Sequence, residues 1–247
     1  MLTNNEQLRY SRQTMLSNIG EQGQLALQNA RVLIVGIGGL GNPVSMYLAA
    51  AGVGTLYLAD GDNVELTNLA RQVLFTQQDI GENKADIAAE KLLQQNPEIT
   101  IEVIDEMLDQ ELCQYYFSQV DLVIDCSDNI QTRYLINQHC VTNKTPLIVG
   151  AATGFDGQQL VVDPRNPDSA CYQCLFPASE KAPVNNCQTI GVVGPVLAII
   201  AGMQSLQAIK LLTGNKVQIN QLNLFDGLLN QWQQFNLKKQ STCPVCS

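Results

Sequence analysis

The stretch Gly36–Gly41, GIGGLG, constrains this chain more than any other. It follows a β-branched apolar run, Arg31–Val35 (RVLIV), and opens an alanine- and leucine-rich segment, Leu40–Ala51. In a strand, glycine turn and helix, backbone N–H groups can approach phosphate oxygens closely, and the helix N-terminus adds a favourable dipole. Asp60 follows Gly41 by 19 residues, just after the next predicted strand, Thr55–Ala59. An acid there can accept hydrogen bonds from a ribose. Gly36, Gly38, Gly39, Gly41 and Asp60 are therefore candidate nucleotide-binding residues. The pattern does not separate NAD from ATP, and a turn needed only for packing is the competing explanation. No G-x-x-x-x-G-K-[ST] occurs, so this is not a P-loop nucleotidase.

The periodicity around the turn predicts helices over Leu2–Ile19, Gln22–Asn29, Leu40–Ala51, Lys84–Gln95, Gln110–Ser118 and Ile130–Thr142. Asn96-Pro97 closes the fourth. Further strands are predicted over Ile99–Ile104, Asp121–Cys126 and Pro146–Ala151. Strand and helix thus alternate from Arg31 to Ala151, the pattern of a mostly parallel sheet with helices on both faces. The last hundred or so residues differ. Gln158–Val162 reads as a strand, Ala170–Asn186 as irregular, and Val193–Leu212 as a long apolar helix stopped by Gly214. Val217–Leu237 alternates and reads as antiparallel strands. The fold class is α/β and Rossmann-like, a mostly parallel sheet extended by antiparallel strands. One domain, 1–247, is expected, with 31–151 as its nucleotide-binding part.

Composition excludes several classes. Hydrophobic residues make up 45% and charged residues 15%, which is globular. The net charge is −9 with no basic run, which argues against nucleic acid and anionic membranes as partners. No apolar stretch reads as long enough to span a bilayer; Val192–Met203 is short and interrupted by Gly194, Pro195 and Gly202. MLTNNEQLRYSRQ lacks the apolar core of a signal peptide, so a cytoplasmic location is the expectation. The one histidine, His139, excludes multi-histidine metal sites and reads as structural.

Ligands of open parallel sheets sit beyond the carboxyl ends of the strands. Asp60 and Asp62 map there, then Asn68, Arg71 and Gln72, then Lys84, then Asp128 and Asn129. Two cations and several acids at one rim suit a triphosphate with magnesium. A nicotinamide-dependent oxidoreductase, the alternative from another class, needs no such cationic set. A solvated loop with ordinary charges is the plainer alternative.

Of eight cysteines, four form two C-x-x-C knuckles, Cys171–Cys174 and Cys243–Cys246. Together they can supply a closed four-thiolate zinc site, structural because no position remains open for substrate. An iron–sulfur cluster or redox pairs are the competing readings. Cys187 lies in a polar stretch and is either a reactive loop thiol or an ordinary surface cysteine. Cys113, Cys126 and Cys140 fall in apolar contexts and read as core.

RYSRQ at 9–13, GIGGLG, AGVGTLYLAD at 51–60, NLARQ at 68–72, Lys84, DCSDN at 125–129 and the two knuckles together resemble the ThiF/MoeB/HesA family, relatives of the ubiquitin-activating enzymes. The resemblance covers nearly the whole chain in the family's order. It implies an adenylyltransferase using ATP and Mg2+, with structural Zn2+. Its substrate would be the C-terminal glycine carboxylate of a small ubiquitin-like sulfur carrier. By position, Gly39 and the turn would hold nucleotide and Asp60 the ribose. Asn68, Arg71 and Lys84 would contact phosphates, and Asp128 would position magnesium. Arg12 would reach into the other subunit of a homodimer, and residues 152–247 would bind carrier and zinc. NNCQTIGVVGPV at 185–196 and LFDG at 224–227 look most like the thiamine-pathway branch, whose carrier is ThiS. There the cysteine matching Cys187 is linked to sulfur transfer through an acyl-disulfide with the carrier, and a sulfur donor such as a cysteine desulfurase is a further expected partner. A MoeB-type enzyme acting on MoaD is the alternative within the family. One departure is Ala70, where the family's N-L-Q-R-Q has glutamine.

Overall fold

The structure is a computed structural model describing residues 1–178 and 191–247. Eight strands form one sheet: β1 (Arg31–Val35), β2 (Thr55–Ala59), β3 (Thr100–Ile104), β4 (Leu122–Asp125), β5 (Leu147–Thr153), β6 (Asp156–Val162), β7 (Gln221–Asp226) and β8 (Gln231–Asn236). Their spatial order is β3-β2-β1-β4-β5-β6-β7-β8. The first five are parallel, with Val32 beside Leu56 on one side and Leu122 on the other. From β5 onward each pairing is antiparallel, with Val149 opposite Leu160, Gln158 opposite Leu224 and Phe225 opposite Trp232. The expected architecture, a parallel sheet extended by antiparallel strands, is therefore present.

Nine α-helices lie among the described residues: α1 (Asn4–Arg9), α2 (Ser11–Thr14), α3 (Gly20–Asn29), α4 (Gly41–Ala51), α5 (Lys84–Gln95), α6 (Gln110–Tyr116), α7 (Ile130–Asn143), α8 (Tyr172–Leu175) and α9 (Gly194–Leu212). Two apolar cores flank the sheet. Val32, Ile34, Leu56 and Leu58 point to one, with Leu48, Leu92 and Ile200. Leu33, Val35 and Val123 point to the other, with Phe117, Ile136 and Cys140. Successive residues of the parallel strands thus serve opposite faces, so these strands read as continuous apolar runs.

Three expectations need correction. Leu2–Ile19 is not one helix: it is α1 and α2, broken at Tyr10. The buried Tyr10 hydroxyl accepts a hydrogen bond from Asn96 Nδ2 at 2.9 Å, a tertiary tie that local periodicity cannot show. The antiparallel strands begin at Gln221, not Val217. And α9 is, by length and composition, apolar enough to cross a membrane: 19 residues with a hydropathy of 1.5. Pro195 does not interrupt it, because a proline in the first helical turn forfeits no intrahelical hydrogen bond. In the fold one face of α9 is buried in the core, while Ile199 and Leu206 of that helix are exposed. It packs on α4, β5 and β6 and buries Val196, Leu197, Ile200, Ala201, Gln204 and Ala208. Gly157 of β6 permits this approach, since a Cβ there would come within 2.3 Å of Ile200 Cγ1.

Candidate functional site

The carboxyl ends of β1, β2 and β4 open onto a cleft of about 700 Å³. Its wall holds Gly36, Gly38 and Gly39 of the turn, Asp60 and Asp62 after β2, and Asn68, Arg71 and Gln72 from the following loop. Lys84 of α5 and Asp128 and Asn129 after β4 complete the predicted set. Residues spread over 94 positions of sequence therefore meet at one rim, because the parallel strand order puts every such loop on the same side. Gly41 does not line the cleft. It sits behind Gly36, where a Cβ would come within 1.9 Å of the Gly36 carbonyl oxygen, so its glycine requirement is one of packing. Gly36 itself has φ +86°, in the left-handed region.

Asp60 is buried at the end of β2. Its Oδ2 accepts the Ile37 N–H at 2.7 Å and its Oδ1 accepts the Asp62 N–H at 2.9 Å, so the acid fixes the glycine turn to the β2 end. Burial raises its carboxyl above the usual carboxylate range, against the opposing pull of the Lys84 charge and the two N–H groups. Lys84 is placed by the first turn of α5, where the Asn83 side chain caps the N–H groups of Ala85 and Asp86. Its Nζ is buried and pairs with Asp62 Oδ2 at 2.9 Å, the Asp62 side chain being half exposed. Arg71 Nη1 donates to the Thr67 carbonyl at 2.9 Å. Asp128 is exposed at the rim. Asn129 caps α7 by accepting the Thr132 N–H at 2.9 Å, so its carbonyl is engaged in helix structure.

Sequence reasoning missed Arg133 and its partner Asp125. Arg133 lies four residues after Asn129, so the first turns of α7 carry it back to the cleft wall. Both groups are buried, with Nη1 3.8 Å from Asp125 Oδ2. Arg133 Nη2 donates to the Ser127 and Gly150 carbonyls, joining the β4 and β5 ends. Glu106, Met107 and Leu108, after β3, also line the cleft and carried no motif.

Arg12 does not line the cleft. It is exposed on α2, whose neighbouring Gln13 donates to the Ala51 carbonyl at the end of α4 remote from the glycine turn. Cys187 lies outside the described residues. Cys113, Cys126 and Cys140 are buried, as their apolar contexts predict, and burial pushes their thiols up, that of Cys113 to about 12. His139 packs edge-on against Phe117 and does not line the cleft.

The knuckles come together. The Sγ atoms of Cys171 and Cys243 are 3.6 Å apart, those of Cys174 and Cys246 3.4 Å, and all four lie within 4.8 Å of one another. A tetrahedral ion with metal–sulfur bonds of about 2.3 Å requires edges of roughly 3.8 Å, so the four sulfurs fit a zinc ion. The Gln240 N–H donates to Cys174 Sγ at 3.4 Å, as second contacts to metal thiolates do.

Comparison with known proteins agrees with this geometry. The ThiF family matches residues 10–245. The sulfur carrier protein ThiS adenylyltransferase of Escherichia coli (strain K12) is 46% identical over 239 residues, covering 97% of this chain and 94% of that protein. The adenylyltransferase and sulfurtransferase MOCS3 of Culex quinquefasciatus is 43% identical over 249 residues, but this chain spans only 56% of its length. Among solved structures, E. coli MccB with ATP superposes with a TM-score of 0.84 at 26% identity, over 99% of this chain and 75% of that one. MccB with MccA-N7isoASN gives 0.85 at 27%, over 97% and 75%.

Proposed function

The chain belongs to the ThiF family and is an adenylyltransferase, and from that premise we propose that it activates the C-terminal glycine of a ThiS-like sulfur carrier with ATP. The observation that carries the reading is the convergence of Arg71, Lys84 and Asp60 on the glycine turn in one cleft. A carrier carboxylate oxygen attacks the α-phosphorus, the bond to the β-phosphate oxygen breaks, and acyl adenylate and pyrophosphate result. No general base is required, because the attacking carboxylate is already ionised at neutral pH.

The catalytic demand is electrostatic. Arg71 and Lys84 neutralise charge that builds on the transferred phosphoryl group and on departing pyrophosphate. Lys84 exchanges part of its contact with Asp62 for a phosphate oxygen. Asp60 retains lone pairs for the ribose hydroxyls. The turn N–H groups of Gly38 and Gly39 face the phosphates, with Asn68 and Gln72 alongside. Asp128 would hold magnesium, which supplies further charge neutralisation. Arg12 is exposed and does not line its own cleft, and we assign it to the cleft of a second subunit in a homodimer. Cys187 is assigned to later sulfur transfer from a donor such as a cysteine desulfurase, and residues 152–247 to the carrier and a structural zinc.

The thiamine assignment draws on the near full-length match to the E. coli protein, against little more than half of MOCS3. The test is ATP–pyrophosphate exchange with ThiS, with MoaD and with neither. Exchange with ThiS alone supports the proposal. Exchange with MoaD alone reassigns the carrier, and exchange with neither refutes carrier adenylation. Replacing Cys187 by alanine should leave adenylation near normal and impair sulfur loading; unchanged loading makes it a bystander.

A further inference from the structure

The loop bearing Asn68, Arg71 and Gln72 runs from Asp60 to Asn83 without a strand or α-helix of its own. Something must set its position against the glycine turn to within the few tenths of an ångström that phosphate contacts demand. One fully buried side chain, Asn42 in the first turn of α4, makes that connection. Its Nδ2 donates to the Ile37 carbonyl at 2.8 Å and its Oδ1 accepts the Leu74 N–H at 3.0 Å. The opposite end of the Leu74 residue is held too: its carbonyl accepts from Lys91 Nζ at 3.1 Å, and Lys91, on α5, is ion-paired with Asp79. The Ile37 N–H in turn is bound by Asp60. A continuous series of hydrogen bonds therefore runs Asp60–Ile37–Asn42–Leu74–Lys91–Asp79.

The segment between Asn68 and Phe75 is itself tightly turned. The Arg71 and Gln72 N–H groups donate to the Asn68 carbonyl, and the Phe75 N–H donates to the Gln72 carbonyl. A displacement of Leu74 is thus passed to Arg71 and Gln72. Only a short amide side chain offers one donor and one acceptor at this separation; an acid lacks the donor and an aliphatic residue lacks both. Neither Asn42 nor Lys91 lines the cleft.

We infer that Asn42 and Lys91 are positioning residues that hold the Leu74 residue from both ends and thereby set the distance between the glycine turn and the Arg71 loop. The inference rests on the reading of this cleft as the ATP site. Losing either residue should leave the ribose end of the site in place and misalign the phosphate end, so the rate falls more than nucleotide affinity.

The experiment uses the full chain, ATP and ThiS. Asn42→Ala and Lys91→Met should each retain ATP affinity within about threefold and lose about 10- to 100-fold in single-turnover adenylate formation. Lys91→Arg, which keeps the cation and its donors, should recover most of the rate. The double variant should lose little more than the worse single variant, because both act on one residue. Amide exchange at Leu74, read without nucleotide, should accelerate in Asn42→Ala. Variants that melt earlier yet react at the wild-type rate below their melting temperature would overturn the inference. So would rate losses that multiply. Accelerated exchange at Leu74 in Asn42→Ala, found together with a wild-type protein that binds no ATP, would fault the ATP reading of the cleft and not the tether.

Discussion

The parallel and antiparallel halves of this one sheet are held together on different terms. β4, in the interior of the parallel half, buries all four of its residues, whereas β8, at the antiparallel edge, exposes all six. Helices cover both faces of the parallel strands, and burial of apolar side chains supplies the stabilisation there. Toward β8 that cover runs out. The same half carries the four-cysteine cluster, where knuckles 72 residues apart meet. The contrast teaches that the cleft is built on the strands covered on both faces, and that the four-cysteine cluster, three of its thiols buried, ties the C-terminal knuckle to the core beside the more exposed strands.

The sharpest test of this division is chemical. Arg71→Ala or Lys84→Ala should lower adenylate formation by roughly 10³-fold, with metal content and circular dichroism unchanged. Carrier-dependent pyrophosphate exchange measures the first, and normal turnover in either variant would refute the phosphate role. Next comes the cluster. Metal analysis should find about one zinc per chain. Cys243→Ser should release it and lower Tm by about 10 °C, while ATP binding in the parallel half persists. A metal-free protein of full stability would remove the basis of the comparison.

Smaller effects probe the packing gradient itself. Ile34→Ala, at a fully buried site in β1, should cost about 2–5 kcal/mol in denaturant unfolding. Trp232→Ala in β8, 42% exposed and stacked on Phe225, should cost about 1 kcal/mol. Equal losses would deny the gradient. The smallest effect is in pH. Because burial raises the Asp60 carboxyl in the folded state, the native protein holds that proton more tightly than the unfolded chain does. The contribution of Asp60 to stability is therefore greatest below the unfolded value near about 3.9, and is lost as pH climbs through the raised folded value. Asp60→Asn should remove that slope, read as the difference in Tm between variant and wild type from pH 3.5 to 7. A difference independent of pH would contradict the shift.

The two halves also differ in how far the sequence disclosed them. β1, β2 and α5 occupy the predicted ranges, because short apolar runs ended by Gly36 and Asp60, and the Asn96-Pro97 stop, are local signals. The cleft residues were legible for a related reason: glycines, acids and cations after strands fall at one rim by topology. Arg133 was not, since an arginine within a helix gives no local sign that it will be buried against Asp125. The break at Tyr10 depends on Asn96, 86 residues away. Asn42 offered nothing but a small polar residue in a helix start, and its two partners come from separate segments. In the C-terminal third, C-x-x-C spacing announced the cluster, but the start of β7 had no such marker.

A metal ion held by Cys171, Cys174, Cys243 and Cys246 would change the topology of the chain. It would close a ring that contains α9, β7 and β8. A single backbone cut in β7 or β8 would then yield two pieces that stay together in denaturant strong enough to erase every apolar contact, so long as the thiolates keep their ion. Adding a chelator would release them at once. Held this way, that part of the protein would behave less like a folded segment than like a buckled strap, secure until the buckle opens.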